Sequence, residues 1–356
     1  MIFVSIAAYR DEELPLTVKS LIDNADNPKD LHLSIVQQCT SREHIFFESD
    51  NLPCKISNLW VNARDAKGAG YARALAQKAY SDEEYFLQVD SHTRVAEGWD
   101  TKMIAMLKKC QKLAGTDKVI LSQFPAPYTR SNNKDIYIKD HPRIKHYPQK
   151  QRLYNSHKGH WTAERVDLVD GPEESFTVLA GYIFTLGRIV KEVPYDPEIS
   201  FMGEELCFAI RAWTRDWKIY SPDEMYVWHH YHRRGHHRIW DSSNNSDKKW
   251  GQIEKLSMMR QMKVYSAENL GIFGVPSADK MRNFEKFACV EVEKKYKIAL
   301  QTKLKLSKSQ LEQEVLIGTN GIELTPRMSI PCEEGDHEDT ETPCITEGCE
   351  CECHKK

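Results

Sequence analysis

The chain has 356 residues, 40% of them hydrophobic and 10% aromatic, enough for one large core or two smaller ones. Lys and Arg number 49 against 52 Asp and Glu, so a broad electrostatic grip on nucleic acid is not expected. No apolar run approaches the roughly 20 residues of a membrane helix, so no membrane span is expected.

Residues 2–8 are a compact apolar run suited to a buried parallel strand. They lack a basic start and a small-residue cleavage site, and Arg10, Asp11, Glu12 and Glu13 follow at once. The segment therefore reads as a first strand, not a secretion signal. Leu14, Val18, Leu21 and Ile22 recur with helical spacing. Residues 31–37 form a second strand and 56–61 a third. Gly68-Ala69-Gly70 opens an Ala-rich helix over 71–80, and 84–89 is a strand ending at Asp90. A helix over 98–109 and a strand over 118–123 come next. Alternating strands and helices predict an α/β layer with a mainly parallel sheet.

Residues 125–175 are rich in Pro, Lys, His, Tyr and Asn and read as a long surface excursion bordering a cleft. A strand over 176–186 follows, then an amphipathic helix over 204–214 with Leu206, Ile210 and Trp213 on one side. Short strands are expected at 217–220 and 225–228. The chain then divides into an α/β part through residue 250, a helical part over 251–330 that includes 310–315, and an acidic Cys-rich tail over 331–356. That tail has almost no aliphatic content and reads as disordered. Cys39, Cys54, Cys110, Cys207 and Cys289 are scattered through the body, as reduced thiols of a cytoplasmic protein would be.

Four groups of residues carry chemistry. Asp90-Ser91-His92 ends an apolar strand, where ligands bind in open α/β sheets. One residue apart on an extended chain, Asp90 and His92 face the same side, where they can grip a divalent cation or cap a turn. Glu204 and Glu205 sit at a helix start; they stabilise its N-terminus or aim into a cleft. His229, His230, His232 and His236 gather four imidazoles, as ligands of a divalent ion or as an exposed basic loop. The Gly68 to Gly70 turn can cradle phosphate, with Arg73 supplying charge, but it lacks the ending of a Walker loop. In the tail, Cys349, Cys351, Cys353 and His354 could bind a soft metal, but their spacing is not that of a structural zinc site and a solvated tail is the expectation.

The opening IFVSIAAYRDEELPLTVKSLIDNADNP and the segment LQVDSHTRVAEGWD resemble cytoplasmic polypeptide (hydroxyproline/Thr) N-acetylglucosaminyltransferases. The layout is also similar to that of polypeptide N-acetylgalactosaminyltransferases. Its later elements read here Leu179-Ala180-Gly181, Tyr195-Asp196, Phe201-Met202-Gly203-Glu204-Glu205 and Val227-Trp228-His229. The resemblance covers roughly residues 1–240. It implies a GT-A fold, a UDP-GlcNAc donor, Mn²⁺ or Mg²⁺, and a polypeptide acceptor. It implies Asp90, His92 and His229 as metal ligands, with His230 the alternative to His229. It implies Tyr9 and Arg10 near the uridine, Arg73 near the diphosphate or ribose, and Ser91 and Gly181 on the donor side. Glu204 and Glu205 would face the transferred sugar and the acceptor. Glu205 stands where the second family has Asn, and Phe201 where it has Trp, so the sugar stays open. The alternatives are the same chemistry on a glycan or surface polymer, or a non-catalytic UDP-sugar-binding protein.

Overall fold

The computed structural model describes residues 1–40, 45–48, 51–132, 134–137, 171–231, 237–240 and 247–296, and the backbone of four two-residue strands between 144 and 165. The strands are β1 (Ile2–Tyr9), β2 (Leu31–Cys39), β3 (Lys55–Asn62), β4 (Tyr85–Asp90), β5 (Thr93–Val95), β6 (Val119–Leu121), β7 (Ala126–Ser131) and β8 (Lys134–Tyr137). The four short ones are β9 (Ile144–Lys145), β10 (Tyr154–Asn155), β11 (His160–Trp161) and β12 (Glu164–Arg165). The last are β13 (Glu173–Ser175), β14 (Tyr182–Leu186), β15 (Lys218–Ser221) and β16 (Val227–His229). The helices are α1 (Leu14–Asp23), α2 (Ala69–Gln77), α3 (Trp99–Ala114), α4 (Ile189–Glu192), α5 (Glu204–Trp213), α6 (Asp247–Tyr265) and α7 (Ala278–Ala288).

The main sheet runs β13-β15-β6-β14-β4-β1-β2-β3. Period-two alternation sends its side chains to opposite faces. Ile2, Val4 and Ile6 meet Val18 and Leu21 of α1 and Trp99 and Met103 of α3. Phe3, Phe86 and Ile183 lie on the other face with Phe208 and Ala209 of α5. Tyr71, Ala72 and Leu75 of α2 cover Val36 and Val61. Burial on both faces explains why β1 reads as a compact apolar run.

The sheet is mixed, with more parallel than antiparallel pairings. β1, β2, β3 and β4 are parallel neighbours, but β14 is antiparallel to both β4 and β6. Of the strand expected over 176–186, only Tyr182–Leu186 forms, as β14; β13 ends before it, at Ser175. Between them lies a turn at Ala180-Gly181, with the Tyr182 amide donating to Leu179 O at 3.0 Å. Part of the expected surface excursion is sheet: β7 and β8 join β5 and β16 in a second sheet, order β5-β16-β7-β8. The expected helix at 310–315 and the tail lie outside the described residues.

α6 and α7 share a hydrophobic cluster with α5. Met258, Met259 and Met262 are buried with Leu206, Cys207, Ile210 and Phe284. Polar contacts from α6 hold the loop before α5. Ser257 Oγ accepts from the Ser200 amide at 2.9 Å, and Gln261 Nε2 donates to Met202 O at 2.7 Å. That loop lies against the Gly68 to Gly70 turn. A Cβ at Gly70 would sit 2.0 Å from Ile199 O, and one at Gly68 2.1 Å from Ser200 O. Both glycines therefore serve backbone packing, and the Gly70 N–H is already given to Ser200 O at 3.1 Å. Among the described residues, no helix is long and apolar enough to cross a membrane.

Candidate active site

β2 and β3 lie on one side of β1, and β4 lies on the other. The crevice at the carboxyl ends of β1 and β4 is therefore a topological switch point, where open α/β sheets bind ligands. Parallel pairing aligns Ala7 with Asp90, so Tyr9, Arg10 and Asp11 leave the sheet beside Asp90, Ser91 and His92. Arg10 adopts a left-handed backbone, φ 46°, at this turn. Thr17 of α1 clamps the loop after Asp90: its Oγ1 donates to Ser91 O at 2.7 Å and accepts from the Thr93 amide at 2.9 Å.

The second sheet brings in the distant histidine. β5 starts directly after His92, and antiparallel pairing sets His229 of β16 opposite Thr93. The His92 and His229 rings approach to 4.4 Å between centroids. Asp90, His92 and His229 each offer one ligand atom, all within 4.8 Å of one another. His229 Nε2 lies 3.1 Å from Asp90 Oδ2, and its Nδ1 is buried without a hydrogen-bond partner among the described residues. His230 turns the other way. Its ring packs on Tyr128, centroids 5.0 Å apart, while its amide donates to His92 O at 3.1 Å.

Behind this cluster stands Arg73 of α2, buried. Its guanidinium donates to Asp90 Oδ1 at 2.9 Å and to Glu204 Oε1. Burial alone would raise the Asp90 value, but the His229 hydrogen bond and the Arg73 charge hold its carboxyl well below the usual range. Glu204 is pushed up by burial, against the pull of Arg73.

Glu205 is half-buried and accepts from the Ala180 amide at 2.8 Å. Burial first, then the charge of Glu204, pushes its carboxyl up to about 7. A carboxyl raised above its ordinary 4.5 binds its proton more tightly in the folded chain. Its contribution to stability is full below about pH 4.5 and is lost as pH rises through about 7. Wild type should therefore lose stability relative to Glu205→Gln between those values, as read by urea denaturation at several pH values. A stability difference independent of pH would show that Glu205 titrates normally.

Two cavities meet at the cluster. The larger, about 370 Å³, is lined by Tyr9, Asp11, Gln38, Arg73, Ser91 and His92. The smaller, about 190 Å³, is lined by Thr177, Leu179, Gly181, Glu205 and the stacked rings of Phe124 and Tyr231. Asp90, His229 and Tyr231 line both. A Cβ on Gly181 would come within 3.1 Å of Asp90 Oδ2, so a larger residue there would press on the Asp90 carboxylate.

The structure thus gathers Tyr9, Arg73, Asp90, Ser91, His92, Gly181, Glu205 and His229 on the two cavities. Arg10 is beside the larger one without being part of its lining. Glu204 lines neither, because it is turned inward onto Arg73. Ser91 reaches the cavity wall, but its hydroxyl is given to Asp11 Oδ2 at 2.6 Å. Sequence reasoning passed over Asp11, Gln38, Thr177 and Tyr231. Two of these had a signal: Asp11 follows the end of β1, and Tyr231 is two residues from His229, on the same side of an extended chain.

A three-layer α/β chain with an Asp-x-His pair on the lip of its switch-point crevice has the GT-A glycosyltransferase fold. Residues 1–52 and 47–306 match the family described as Glycosyltransferase (GlcNAc), and the chain belongs to that family. The structure is similar to a crystal structure of GalNAc-T7 with UDP, GalNAc and Mn²⁺, at TM-score 0.51 and 14% identity. The match covers 86% of this chain and 57% of that one, so this chain spans little more than half its length. It is also similar to S. aureus TarS 1–349 in complex with UDP-GlcNAc, at TM-score 0.46 and 15% identity, covering 89% and 79% of the two chains. At 14% identity the likeness to GalNAc-T7 speaks for the fold alone. Curated protein sequences give no match.

Proposed function

We propose that the chain transfers GlcNAc from UDP-GlcNAc to a hydroxyl of a protein acceptor, with retention of configuration and with Mn²⁺ or Mg²⁺ bound. The observation that carries this reading is the cluster of Asp90, His92 and His229 at the junction of two cavities. The family description supports GlcNAc as the sugar. The resemblance of the opening segment supports a hydroxyproline or threonine acceptor. Free thiols at Cys39, Cys110 and Cys207, each buried, support a cytoplasmic setting.

The residues fit a divalent cation. One carboxylate and two imidazoles form a compact donor set, and the buried Nδ1 of His229 has no partner among the described residues. Two nitrogen donors favour Mn²⁺ over Mg²⁺. A bound ion supplies a Lewis acid that stabilises charge on a departing diphosphate.

In this reading the larger cavity takes the nucleotide, with Tyr9 and Gln38 on its wall. The smaller takes the sugar and the incoming hydroxyl between Glu205 and the Phe124–Tyr231 pair. Glu204, occupied by Arg73, holds the site together and does not reach the sugar. Glu205, raised to about 7, is divided between acid and carboxylate near neutral pH and positions groups by hydrogen bonding. In this reading the acceptor attacks from the leaving-group face, with the departing phosphate oxygen taking its proton.

The test is release of UDP from a panel of UDP-sugars, with Mn²⁺, Mg²⁺ or EDTA, beside peptide and glycan acceptor arrays. Metal-dependent turnover of UDP-GlcNAc with a peptide is expected. Turnover of glycans alone would overturn the protein acceptor, and turnover unaffected by EDTA would overturn the metal.

A further inference from the structure

The metal reading rests on three ligands, but a fourth side chain controls one of them. We propose that Asp11 is the positioning residue of the His92 ligand: it fixes the proton on Nδ1 so that Nε2 faces the cation. This inference rests on the proposed cation site and deepens it.

Asp11 is 2% exposed, at the turn that follows β1. Its Oδ2 accepts from His92 Nδ1–H at 2.7 Å and from Ser91 Oγ at 2.6 Å. Its Oδ1 accepts from the Glu13 amide at 3.1 Å, which anchors the carboxylate at the start of α1. Three donors from two elements thus hold this group in one orientation. A carboxylate on one ring nitrogen places the imidazole proton there and leaves the other nitrogen a bare lone pair. It also makes that lone pair a stronger donor. Only Nε2 of His92 is then available to complete a cluster with Asp90 and His229.

His229 is the contrast. Its Nδ1 has no partner among the described residues. The two imidazoles are therefore unequal: His92 is preset by a buried carboxylate, whereas His229 is ordered through its contact with Asp90. Asp11 also lines the larger cavity, so its charge adds to that of Asp90 on the wall facing a cation.

The experiment is Mn²⁺ titration of the full chain without donor, reading free Mn²⁺ by electron paramagnetic resonance, for wild type, Asp11→Ala and Asp11→Asn. Nitrogen-15 NMR of the His92 ring is recorded on the same metal-free samples. Loss of a partner that orients a ligand lowers metal affinity about 10–100-fold, and Asp11→Ala is expected in that range. Asp11→Asn should fall between, because its amide oxygen still accepts from Nδ1–H but carries no charge. The NMR should show Nδ1 protonated in wild type and mixed tautomers in Asp11→Ala. If Asp11→Ala does not fold, Asp11→Asn carries the test alone, with a several-fold loss expected. Mn²⁺ binding by wild type with equal affinity in the folded variants would overturn the role of Asp11 and leave the metal reading standing. No Mn²⁺ binding by wild type would overturn both.

Discussion

Replacing Asp90 by Ala should lower sugar transfer by about a hundredfold to a thousandfold while the chain stays folded. The expectation follows from its position. Asp90 lies on the lip of both cavities and is the single carboxylate of the Asp90, His92, His229 cluster. On the proposed reading its loss removes the one anionic ligand of the cation, and it frees the Arg73 guanidinium from the cavity side. Stability should change less than activity. Asp90 has 26% of its side chain exposed, and Arg73 keeps Glu204 as a partner. The measurement pairs transfer kinetics with a urea denaturation curve. Activity within tenfold of wild type would remove Asp90 from the chemistry, and with it the proposed site.

Arg73→Met carries the largest expected cost in stability, about 3–5 kcal/mol, because it strands a buried carboxylate. Arg73 and Glu204 have side chains 5% and 6% exposed. Glu204 Oε2 has no partner among the described residues, so Arg73 supplies the compensation that Oε1 receives. Removing the guanidinium leaves Glu204 to bind a proton or to sit charged in a poorly solvated interior. The double variant with Glu204→Gln removes the orphan charge and should recover a large part of the loss, a coupling of about 1–3 kcal/mol. Transfer should fail in both, since Arg73 also forms the wall of the larger cavity. Equal destabilisation in the single and double variants would mean that Glu204 does not depend on Arg73. The pair would then not be the clamp between α2 and α5.

Much of this site was legible before the fold was known. The run from Tyr85 to Val89 is apolar and then breaks into Asp90-Ser91-His92, which marks a strand end with polar groups on one side. Glu204 and Glu205 stand at the first turn of a recognisable amphipathic helix, and α5 begins there. Such features are local: hydrophobic periodicity and a change from apolar to polar within a few residues report on the chain itself.

Other features are not local. Strand direction depends on how far the chain travels between neighbours, and β14 is antiparallel to both β4 and β6 in a sheet that alternation predicted to be mainly parallel. Whether Glu204 or Glu205 reaches a cavity depends on Arg73, a partner 131 residues away. That contact turns Glu204 inward and leaves Glu205 at the wall.

His229 and His230 show the division most clearly. Adjacent residues of an extended chain face opposite sides, so the sequence by itself determined that at most one of the two imidazoles could meet Asp90. That either would do so it left open, since the same residues fit an exposed basic loop. Which of the two it is was decided by the pairing of β16 with β5, since a slip of one residue in that register exchanges their faces.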